Sequence, residues 1–354
     1  MKNYVTLGEV CTKGSSNIAQ KDIEQNNGSY GIYGASGYIK DVDFYHQDKP
    51  YIAVVKDGAG IGRTMLLPEK TSVIGTMQYL IPNDDVCVEY LYYAVTYMNL
   101  AKYFSGATIP HIYFKDYQKE KLPLLTIEEQ RKIADNLRKI DRLIELCSGI
   151  LQKLDVLVKS RFVEMFCNTD DRRTIADICS IITDGTHQPP KFTQDGIPFL
   201  FVSNIVTNEI TYNAEKFISE ETYDELYKRT PIEIGDIVLS TVGSYGHPAV
   251  VKTNKKFLFQ RHIAYLKPIS SVVNSIYLHS AILSNDAQRQ IEERVKGIAQ
   301  KTLNLSEIRK ITVPIPPLAL QEQFAAFVEQ TDKSKFIAIN IKKIIRRVRF
   351  NDQF

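Results

Sequence analysis

Apolar residues recur at alternating intervals of four and three residues along one stretch of the chain. An unbroken pattern of this kind is typical of a long amphipathic helix whose apolar seam packs as a coiled coil. Thr126 and Glu129 fit a capping box at its start, and the pattern predicts a helix that ends near Phe166. The predicted seam consists of Ile133, Leu137, Ile140, Ile144, Cys147, Leu151, Leu154 and Val158.

A second, less regular helix is predicted from about Leu318 to Val348. Its apolar positions are interrupted by the polar residues 332–335 and then resume. Two long helices in one chain most simply pair with each other, and antiparallel pairing is expected. The alternative is that each helix packs only on its own domain. The predicted seam of the second helix consists of Phe324, Val328, Ile337, Ile341, Ile344 and Val348.

The segment that begins each helix occurs twice in the chain. Residues 122–144 read LPLLTIEEQRKIADNLRKIDRLI, and residues 313–335 read VPIPPLALQEQFAAFVEQTDKSK. The proline and the glutamine of the two copies match at a separation of 191 residues. Farther upstream, TLGEVC resembles TIADIC, MQYLIP resembles IAYLKP, and GAGIG resembles VGSYG. Because two copies are too few for a solenoid, the duplication predicts one chain that imitates a two-fold symmetric pair.

Runs of β-branched and aromatic residues with glycine-rich turns precede each long helix. Since these runs do not alternate regularly with helices, they predict an α+β fold of two tandem domains, each a mixed α/β unit followed by a long helix. The predicted order is a first domain (1–121), its helix (122–167), a second domain (168–312) and its helix (313–354).

The composition excludes several classes of protein. A net charge of +3 and a pI near 8.4 permit nucleic acid as a partner but do not argue for it. The sequence has no apolar stretch long enough to span a membrane, and residues 1–10 lack the apolar core of a signal peptide. The five cysteines are scattered without metal-binding spacing, which predicts reduced thiols in a cytoplasmic protein.

Two catalytic patterns are incomplete in the sequence. The Asn/Asp-Pro-Pro-aromatic tetrapeptide of an amino-methyltransferase is absent, because Pro189-Pro190 has other flanking residues. Asp84, Asp85 and Glu89 suggest the carboxylates of a metal-dependent nuclease, but the lysine expected after the glutamate is missing. The six histidines lack metal-binding spacing. The sequence therefore predicts a binding protein without catalytic residues, metal or cofactor of its own.

The repeated segments resemble a known family, the specificity subunits of Type I restriction–modification systems. LPLLTIEEQRKIA and VPIPPLALQEQFA, which follow the glycine-containing segments SGATIPHIYF and KGIAQKTLNL, resemble the repeated regions of that family. DGTHQPPKFTQDGIPFLFVSNI, at residues 184–205, resembles the start of a target recognition domain. The resemblance covers essentially the whole chain, and its double occurrence makes it specific.

The resemblance implies two target recognition domains that read the unlike halves of a bipartite, asymmetric sequence in double-stranded DNA. It implies an antiparallel coiled coil as the spacer between them. It also implies two methyltransferase subunits docked on the helices, through which restriction subunits join. Adenine methylation and ATP-dependent cleavage would belong to those partners, which would hold S-adenosylmethionine, ATP and Mg²⁺. The chain itself would be non-catalytic and would not bind a membrane.

Polar loops of the two domains supply candidate DNA contacts, because base readout needs polar side chains and phosphates attract lysine and arginine. The segment 260–262, Gln-Arg-His, is the strongest candidate, since it is polar within a strand-like run. For each candidate, an ordinary surface or turn role is the alternative. The candidates are Ser36, Lys56, Arg63, His111 and Lys115 in the first domain, and Thr186, His187, Lys191, Ser244, Tyr245, Arg261, His262 and Lys301 in the second.

Two other functions stay open at this stage. The chain could be a coiled-coil scaffold whose globular domains bind protein rather than DNA, or a self-sufficient nuclease. A mobility shift on a mixed DNA pool separates the first alternative from a DNA reader. Incubation of the purified chain with Mg²⁺ and plasmid tests the second.

Overall fold

The computed structural model describes residues 3–106, 109–297 and 300–351, and of residues 3 and 348–351 the backbone alone. The chain divides into two units: unit 1 comprises Met1–Gly149 and Ile339–Phe354, and unit 2 comprises Ile150–Ala338. Each unit contains one globular domain together with a segment of each long helix. Within the described ranges, no helix is both long enough and apolar enough to cross a membrane.

Unit 1 is built from short strands and helices that precede the first long helix. Its strands are β1 (Asn3–Thr6), β2 (Cys11–Ser15), β3 (Tyr30–Gly34), β4 (Gly37–Val42), β5 (Tyr51–Val55), β6 (Thr64–Leu67), β7 (Ser72–Val73), β8 (Met77–Pro82) and β9 (Lys121–Leu124). Its helices are α1 (Leu7–Val10), α2 (Val88–Tyr97), α3 (Phe114–Tyr117) and α4 (Ile127–Phe166), the last of which continues into unit 2.

An antiparallel sheet in the order β2-β8-β5-β6 forms the centre of unit 1. Because side chains alternate along a strand, one face presents Val54 and Leu80 to a core that includes Tyr90 of α2 and Leu137 of α4. A second sheet has the order β4-β3-β7. The first strand of the domain, β1, pairs antiparallel with the last, β9, so the chain enters and leaves the domain at one place.

Unit 2 repeats this plan. Its strands are β10 (Arg172–Thr174), β11 (Cys179–Asp184), β12 (Ile197–Leu200), β13 (Lys216–Ile218), β14 (Ile237–Ser240), β15 (Pro248–Val250), β16 (Leu258–Phe259), β17 (Ile263–Pro268) and β18 (Thr312–Pro314). Its helices are α5 (Ile175–Ile178), α6 (Glu220–Tyr227), α7 (Ser275–Ile282), α8 (Asn285–Arg294), α9 (Leu305–Ile308) and α10 (Leu318–Asn351), the last of which continues into unit 1.

The central sheet of unit 2 has the order β11-β17-β14-β15, and a second sheet has the order β13-β12-β16. One face of the central sheet presents Ile237 and Leu266 to a core that also holds Tyr277 of α7 and Phe324 of α10. The strand β10 pairs antiparallel with β18, as β1 does with β9. The predicted fold class, tandem mixed domains each followed by a long helix, is therefore confirmed.

A repeated glutamine holds the start of each long helix on its domain. Oε1 of Gln130 accepts a hydrogen bond from the backbone N–H of Cys87 at 2.8 Å. Its amide nitrogen donates to the carbonyls of Asp85 at 3.1 Å and Leu125 at 2.9 Å. The side chain is completely buried. We call this side chain and its three hydrogen bonds a glutamine anchor.

The second glutamine anchor has the same geometry. Oε1 of Gln321 accepts from the N–H of Asn274 at 2.9 Å. Its amide donates to the carbonyls of Val272 at 3.2 Å and Pro316 at 2.8 Å. Gln321 is also completely buried. The duplicated glutamine therefore satisfies three backbone groups of irregular chain in each domain, which apolar side chains could not do.

The duplicated proline takes part in a second contact that both repeats share. The hydroxyl of Tyr90 donates to the carbonyl of Pro123 at 2.6 Å, and that of Tyr277 donates to the carbonyl of Pro314 at 2.7 Å. Each tyrosine lies on the helix that covers the central sheet, so the bond joins this helix to the strand that precedes α4 or α10.

Within unit 2, the last part of α4 packs against the first part of α10. The ring centroid of Phe324 lies 5.5 Å from that of Phe162 and 5.5 Å from that of Phe166. Farther along, Nζ of Lys335 lies 2.8 Å from Oδ1 of Asp155. Because later residues of α4 meet earlier residues of α10, these two segments run antiparallel.

The predicted seam of α4 lies on its protected side. Leu137 and Cys147 are buried. Leu137 packs in the core of the first domain, so the start of α4 rests on its own domain, as the alternative to helix pairing expected. The remaining seam residues are half-buried: Ile133, Ile140, Ile144, Leu151, Leu154 and Val158.

The predicted seam of α10 is wrong in its second half. Phe324 and Val328 are buried, whereas Ile337, Ile341 and Ile344 are 59%, 44% and 61% exposed. The physical reason is that the polar residues 332–335 do not end the protected face, which continues through Lys335 and Ala338. These isoleucines instead lie on the exposed face of the helix.

The protected face of α10 continues through a mixture of polar and apolar residues. Lysine can occupy such positions because its methylene stem packs while its amine reaches a polar partner. Nζ of Lys342 donates to Oγ of Ser148 at 2.7 Å within unit 1, and the hydroxyl of Thr331 donates to the carbonyl of Phe327 at 2.9 Å. The side chain of Val348 lies outside the described residues. The buried or half-buried positions are Thr331, Lys335, Ala338, Lys342 and Ile345.

Candidate nucleic-acid interface

Three candidates of the first domain border one cavity of about 350 Å³ in unit 1. Nδ1 of His111 lies 2.7 Å from Oδ1 of Asp57, and Nζ of Lys56 lies 3.8 Å from Oδ2 of the same carboxylate. Because one carboxylate faces several basic side chains, the cavity carries the excess of positive charge that attracts anions. The polar residues that line it include Lys13, Lys56, Asp57, Gln78, His111 and Lys115.

A glycine turn fixes the position of His111. His111 and Ser105 exchange two backbone hydrogen bonds of 2.8 Å across this turn. At Gly106 the φ angle is +99°, and a Cβ atom there would lie 2.5 Å from the carbonyl oxygen of Ile109. Only glycine fits such a backbone without strain. The second repeat has the same turn at Gly297, whose φ angle is +104°.

Gln78 is the most deeply buried polar side chain of the cavity. It lies in β8, only 2% exposed, on the sheet face that also carries Val54 and Leu80. Among the residues that the structure describes, its Nε2 has no hydrogen-bond partner. A buried donor without a partner costs about 1–3 kcal/mol. A bound group that offers an acceptor to Gln78 would therefore be stabilised.

The other two candidates of the first domain lie away from this cavity. Ser36 is exposed in the turn between β3 and β4. Nη1 of Arg63 donates to the carbonyl of Ala35 at 2.9 Å, which places the guanidinium beside the same turn. The five candidates of the first domain thus form two groups, one at the cavity and one at the β3–β4 turn.

In the second domain, the candidates around Arg261 form a connected cluster. The backbone N–H of Arg261 donates to the carbonyl of Thr186 at 3.1 Å. Nε2 of His187 lies 2.9 Å from Oδ2 of Asp184, and Nε of Arg261 lies 3.4 Å from Nε2 of His262. Burial and the neighbouring Arg261 charge lower the pKa of His262, which favours a neutral ring at physiological pH. The exposed guanidinium of Arg261 is therefore the main cation of this cluster.

A second group in this domain surrounds Lys301. Its Nζ lies 3.4 Å from the hydroxyl of Tyr245 and 3.1 Å from Oε1 of Glu292. Ser244 is exposed next to Tyr245 in the chain, and Lys191 is exposed in the loop that follows β11. Apart from Lys191, the candidates of the second domain thus form a group at Arg261 and a group at Lys301.

The carboxylates that suggested a nuclease have structural contacts. Asp84 forms an exposed ion pair of 3.5 Å with Lys49, and Asp85 gives its backbone carbonyl to the glutamine anchor. The carboxylate of Glu89 accepts a hydrogen bond from Sγ of Cys87 at 3.1 Å. No group of three or more potential metal ligands was found within the described ranges.

The structure shifts one alignment of the two repeats by a residue. The N–H of Gly58 donates to the carbonyl of Pro110 at 2.9 Å, and the N–H of Gly243 donates to the carbonyl of Lys301 at 3.1 Å. The structural counterpart of Gly58 is therefore Gly243, and not Val242 as the comparison of GAGIG with VGSYG predicted. Gly58 and Gly243 also share a positive φ angle, +91° and +73°.

Three polar residues of the cavity were not among the candidates drawn from the sequence. Gln78 stands in an apolar strand and carries no local signal of exposure. Lys13 and Asp57 are ordinary charged residues in sequence, and only the fold brings them to His111 and Lys56. A comparison of the two repeats could have singled out Gln78, because IAYLKP has alanine where MQYLIP has glutamine.

A family model described as "Type I restriction modification DNA specificity domain" matches residues 2–156 and again residues 171–347. The two matches together cover most of the chain, and each begins near the first strand of a domain and ends within a long helix. The family model thus finds the same duplication that the sequence and the fold contain.

Relatives with curated names carry the same description. The chain is 24% identical over 258 residues to the Type I restriction enzyme EcoBI specificity subunit of Escherichia coli, covering 64% of this chain and 54% of that protein. It is 26% identical over 279 residues to the MjaIX specificity subunit of Methanocaldococcus jannaschii, covering 71% of this chain and 63% of that protein. The chain therefore matches between half and two thirds of the length of these relatives.

Solved structures share the fold along the whole chain. A Type I restriction-modification S subunit from M. genitalium superposes with a TM-score of 0.61 at 16% identity, covering 100% of this chain and 97% of that one. A chain from a study of the assembly and conformational transition of the type I R-M system gives a TM-score of 0.59 at 15% identity, covering 98% and 95%. With the family matches in both halves, the resemblance seen in the sequence is confirmed. The chain belongs to the Type I restriction modification DNA specificity domain family.

Proposed function

We propose that this chain is the DNA sequence-specificity subunit of a Type I restriction–modification complex. Each domain reads one half of a bipartite, asymmetric target in double-stranded DNA. The observation that carries the proposal is that two domains with one backbone plan present different polar side chains at equivalent places. The glycine turn that carries His111 in the first domain carries Thr302 in the second. Two domains with the same backbone plan but different polar side chains can contact two half-sites that differ in base sequence.

The long helices act in this proposal as the spacer between two readers. Residues 1–121 and 168–312 are the recognition domains, and residues 122–167 and 313–354 form an antiparallel coiled coil. The antiparallel contacts of Phe324 and Lys335 with α4 support this pairing. The 40 residues of α4 extend about 60 Å at the usual helical rise. One turn of DNA measures about 34 Å, so a spacer of this length can separate two half-sites by more than one turn.

The exposed apolar side chains on the unit 1 segment of α10 form the proposed docking surface for the methyltransferase subunits. Ile341 and Ile344 are both exposed, whereas Lys342 between them is half-buried. Neighbouring apolar side chains that stay exposed on one helix face are typical of a protein–protein contact surface. Two methyltransferase subunits bind the helices, and restriction subunits join through them.

The chemistry of the complex belongs, in this proposal, to the partner subunits. They carry the adenine-specific methyltransferase and the ATP-dependent endonuclease activities, and they hold S-adenosylmethionine, ATP and Mg²⁺. The chain is non-catalytic on its own and acts in the cytoplasm, where these cofactors and the DNA are found.

Methylation sequencing tests the proposed function directly. We expect the chain, co-expressed with the methyltransferase subunit of its complex, to direct adenine methylation to one motif with two specified halves and an unread spacer. Methylation that is unchanged when this chain is omitted would overturn the proposal. A chain that binds the methyltransferase but shifts no DNA from a mixed pool would favour the scaffold alternative.

Arg261→Ala tests the assignment of recognition to the domains. Loss of a bidentate contact to guanine weakens specific binding by about 1–3 kcal/mol and relaxes the motif at one position. We expect that relaxation in one half-site only. Lys255→Ala, an exposed lysine of the same domain, is the matched control and should leave the motif unchanged. Unchanged affinity and motif for the Arg261 variant would remove this residue from the interface.

The docking surface has its own test. Ile341→Ser and Ile344→Ser replace exposed apolar side chains, so the free chain should keep its stability while the complex with the methyltransferase weakens. Lys343→Ser, between them and also exposed, is the matched control. Co-elution in size-exclusion chromatography measures assembly. Complete co-elution of both isoleucine variants at micromolar concentration would contradict the proposed surface.

A further inference from the structure

The residues that line the cavity of unit 1 have different side chains at the equivalent positions of the second domain. The backbone N–H of Ile112 donates to the carbonyl of Lys56 at 2.9 Å, and that of Leu303 donates to the carbonyl of Thr241 at 2.8 Å. These bonds make Lys56 and Thr241 structural equivalents. The first domain thus has a cation where the second has a short neutral side chain.

At the neighbouring positions, too, the first domain has titratable side chains where the second domain has uncharged ones. Asp57 forms a bridge with His111, and Val242 forms the equivalent bridge with Thr302. The ion pair of the first domain is therefore replaced by a valine and a threonine. Since the backbone is the same, the titratable groups of the first domain are not needed to build this turn.

Gln78 shows the largest contrast between the two domains. It pairs with Val54 in the central sheet of unit 1, and Ala264 pairs with Leu239 at the equivalent place in unit 2. Ala264 is completely buried in an apolar core. The fold thus accepts alanine at this position, and the unpartnered amide of Gln78 is not required for folding. A buried amide directed into a cavity lined by lysines has the features of a binding group.

The cavity offers donors and positive charge to a ligand. Lys13, Lys56 and Lys115 are cations, and Nε2 of Gln78 is a neutral donor. The carboxylate of Asp57 is already engaged by His111 and approached by Lys56. A complementary ligand carries several acceptor oxygens and a negative charge. DNA presents one such group at every nucleotide, the phosphodiester.

We propose that this cavity binds a phosphodiester of the DNA backbone, with the amide of Gln78 and the amines of Lys13 and Lys56 as its donors, and thereby anchors the first domain on its half-site. The proposal rests on the DNA-reading function proposed above. It assigns to the first domain a phosphate contact that the second domain lacks at the equivalent place. Such a contact fixes register and supplies affinity without reading a base.

Gln78→Met separates binding from folding, because methionine keeps the volume but removes the unpartnered donor. We expect the melting temperature of the full chain to stay the same or rise. We expect the dissociation constant for DNA that contains the methylated motif to increase about tenfold, as for the loss of one hydrogen bond to a charged group. A lower melting temperature with unchanged DNA affinity would show a structural role and overturn the proposal.

Lys56→Gln tests the nature of the DNA group. Removing one phosphate contact reduces the slope of log binding constant against log salt by about 0.9 and weakens all sequences alike. Lys21→Gln, an exposed lysine of the same domain away from the cavity, should leave the slope unchanged. An equal effect of both variants would indicate a diffuse field and overturn the site. Relaxation of the motif at one base would indicate base readout and overturn the phosphate assignment.

Two further comparisons complete the test. Titration with inorganic phosphate examines a small-molecule ligand: if Gln78→Met abolishes phosphate binding but leaves DNA affinity unchanged, the cavity serves a free ligand and the proposal fails. The wild-type chain, assembled with its methyltransferase, is measured on the same DNA. If the wild-type complex lacks sequence-specific binding, the proposed DNA-reading function fails. If it binds and the variants match it, only the cavity assignment fails.

Discussion

Replacement of Gln321 by leucine tests how the second domain is held on its helix. The substitution removes a completely buried amide with hydrogen bonds to the N–H of Asn274 and the carbonyls of Val272 and Pro316. A buried donor left without a partner costs about 1–3 kcal/mol, and each net hydrogen bond contributes about 1 kcal/mol. We therefore expect the free energy of unfolding to fall by about 3–4 kcal/mol.

Urea unfolding followed by far-UV circular dichroism measures this loss, and thermal unfolding provides a second reading. For a unit of this size about 1 kcal/mol corresponds to about 2–4 °C, so the transition of unit 2 should fall by about 10 °C. Gln323→Leu is the matched control, since this glutamine is exposed two residues away. A Gln321→Leu variant that loses less than about 1 kcal/mol, or no more than the control, would refute the role of the anchor.

Three further perturbations address other contacts. Tyr277→Phe removes the donor to the carbonyl of Pro314, and urea unfolding should show a loss of about 1–2 kcal/mol; no loss would contradict that contact. Phe324→Ala opens the aromatic core of unit 2 and should cost about 3–5 kcal/mol by the same assay, whereas a loss below about 1 kcal/mol would mean that the core refills the space. Burial raises the pKa of Asp236, so its stabilising contribution is present below the unfolded value of 3.8 and is lost as pH rises through the raised value. Asp236→Asn should flatten this part of the stability–pH curve, and an unchanged curve would contradict the assignment.

The duplication and the apolar spacing predicted most of the helical framework. The first helix was expected from the capping residue Thr126 to about Phe166 and is found at Ile127–Phe166. The repeated glutamines were visible as a match, but their role was not, because two of the three partners of each are backbone groups in loops more than forty residues upstream in sequence. The repeat in the sequence therefore identified the glutamines but not their hydrogen-bond partners.

The second helix shows where pattern reasoning fails. The apolar spacing places Lys335 outside the seam, although a lysine stem can pack on the protected face while its amine reaches a polar partner, as Lys335 reaches Asp155 and Lys342 reaches Ser148. The same spacing places the isoleucines in the seam because they are apolar, although they are exposed. Apolar residues at helical spacing occur both in a buried seam and in an exposed apolar patch, so the spacing alone cannot separate the two.

The candidate site was only partly visible in the sequence. Lys56, His111 and Lys115 were chosen separately, and the fold brings them to one cavity. Gln78 was missed because alternation in a β-strand places it among buried apolar residues, where its polarity has no local consequence. Gln78 is a candidate binding group because its Nε2 has no hydrogen-bond partner among the described residues, and only the three-dimensional packing shows this.

The pairing of β1 with β9 and of β10 with β18 bears on how such a protein acquires new targets. The first and last strands of each globular domain lie side by side, so the chain enters and leaves the domain at one place. The residues between these two strands can therefore be exchanged without moving the helix that follows. Under the proposed function, recombination at these strands would replace one recognition domain with another and leave the long helices unchanged. Under the proposed function, the two half-sites could then change one at a time without a change in the partner subunits.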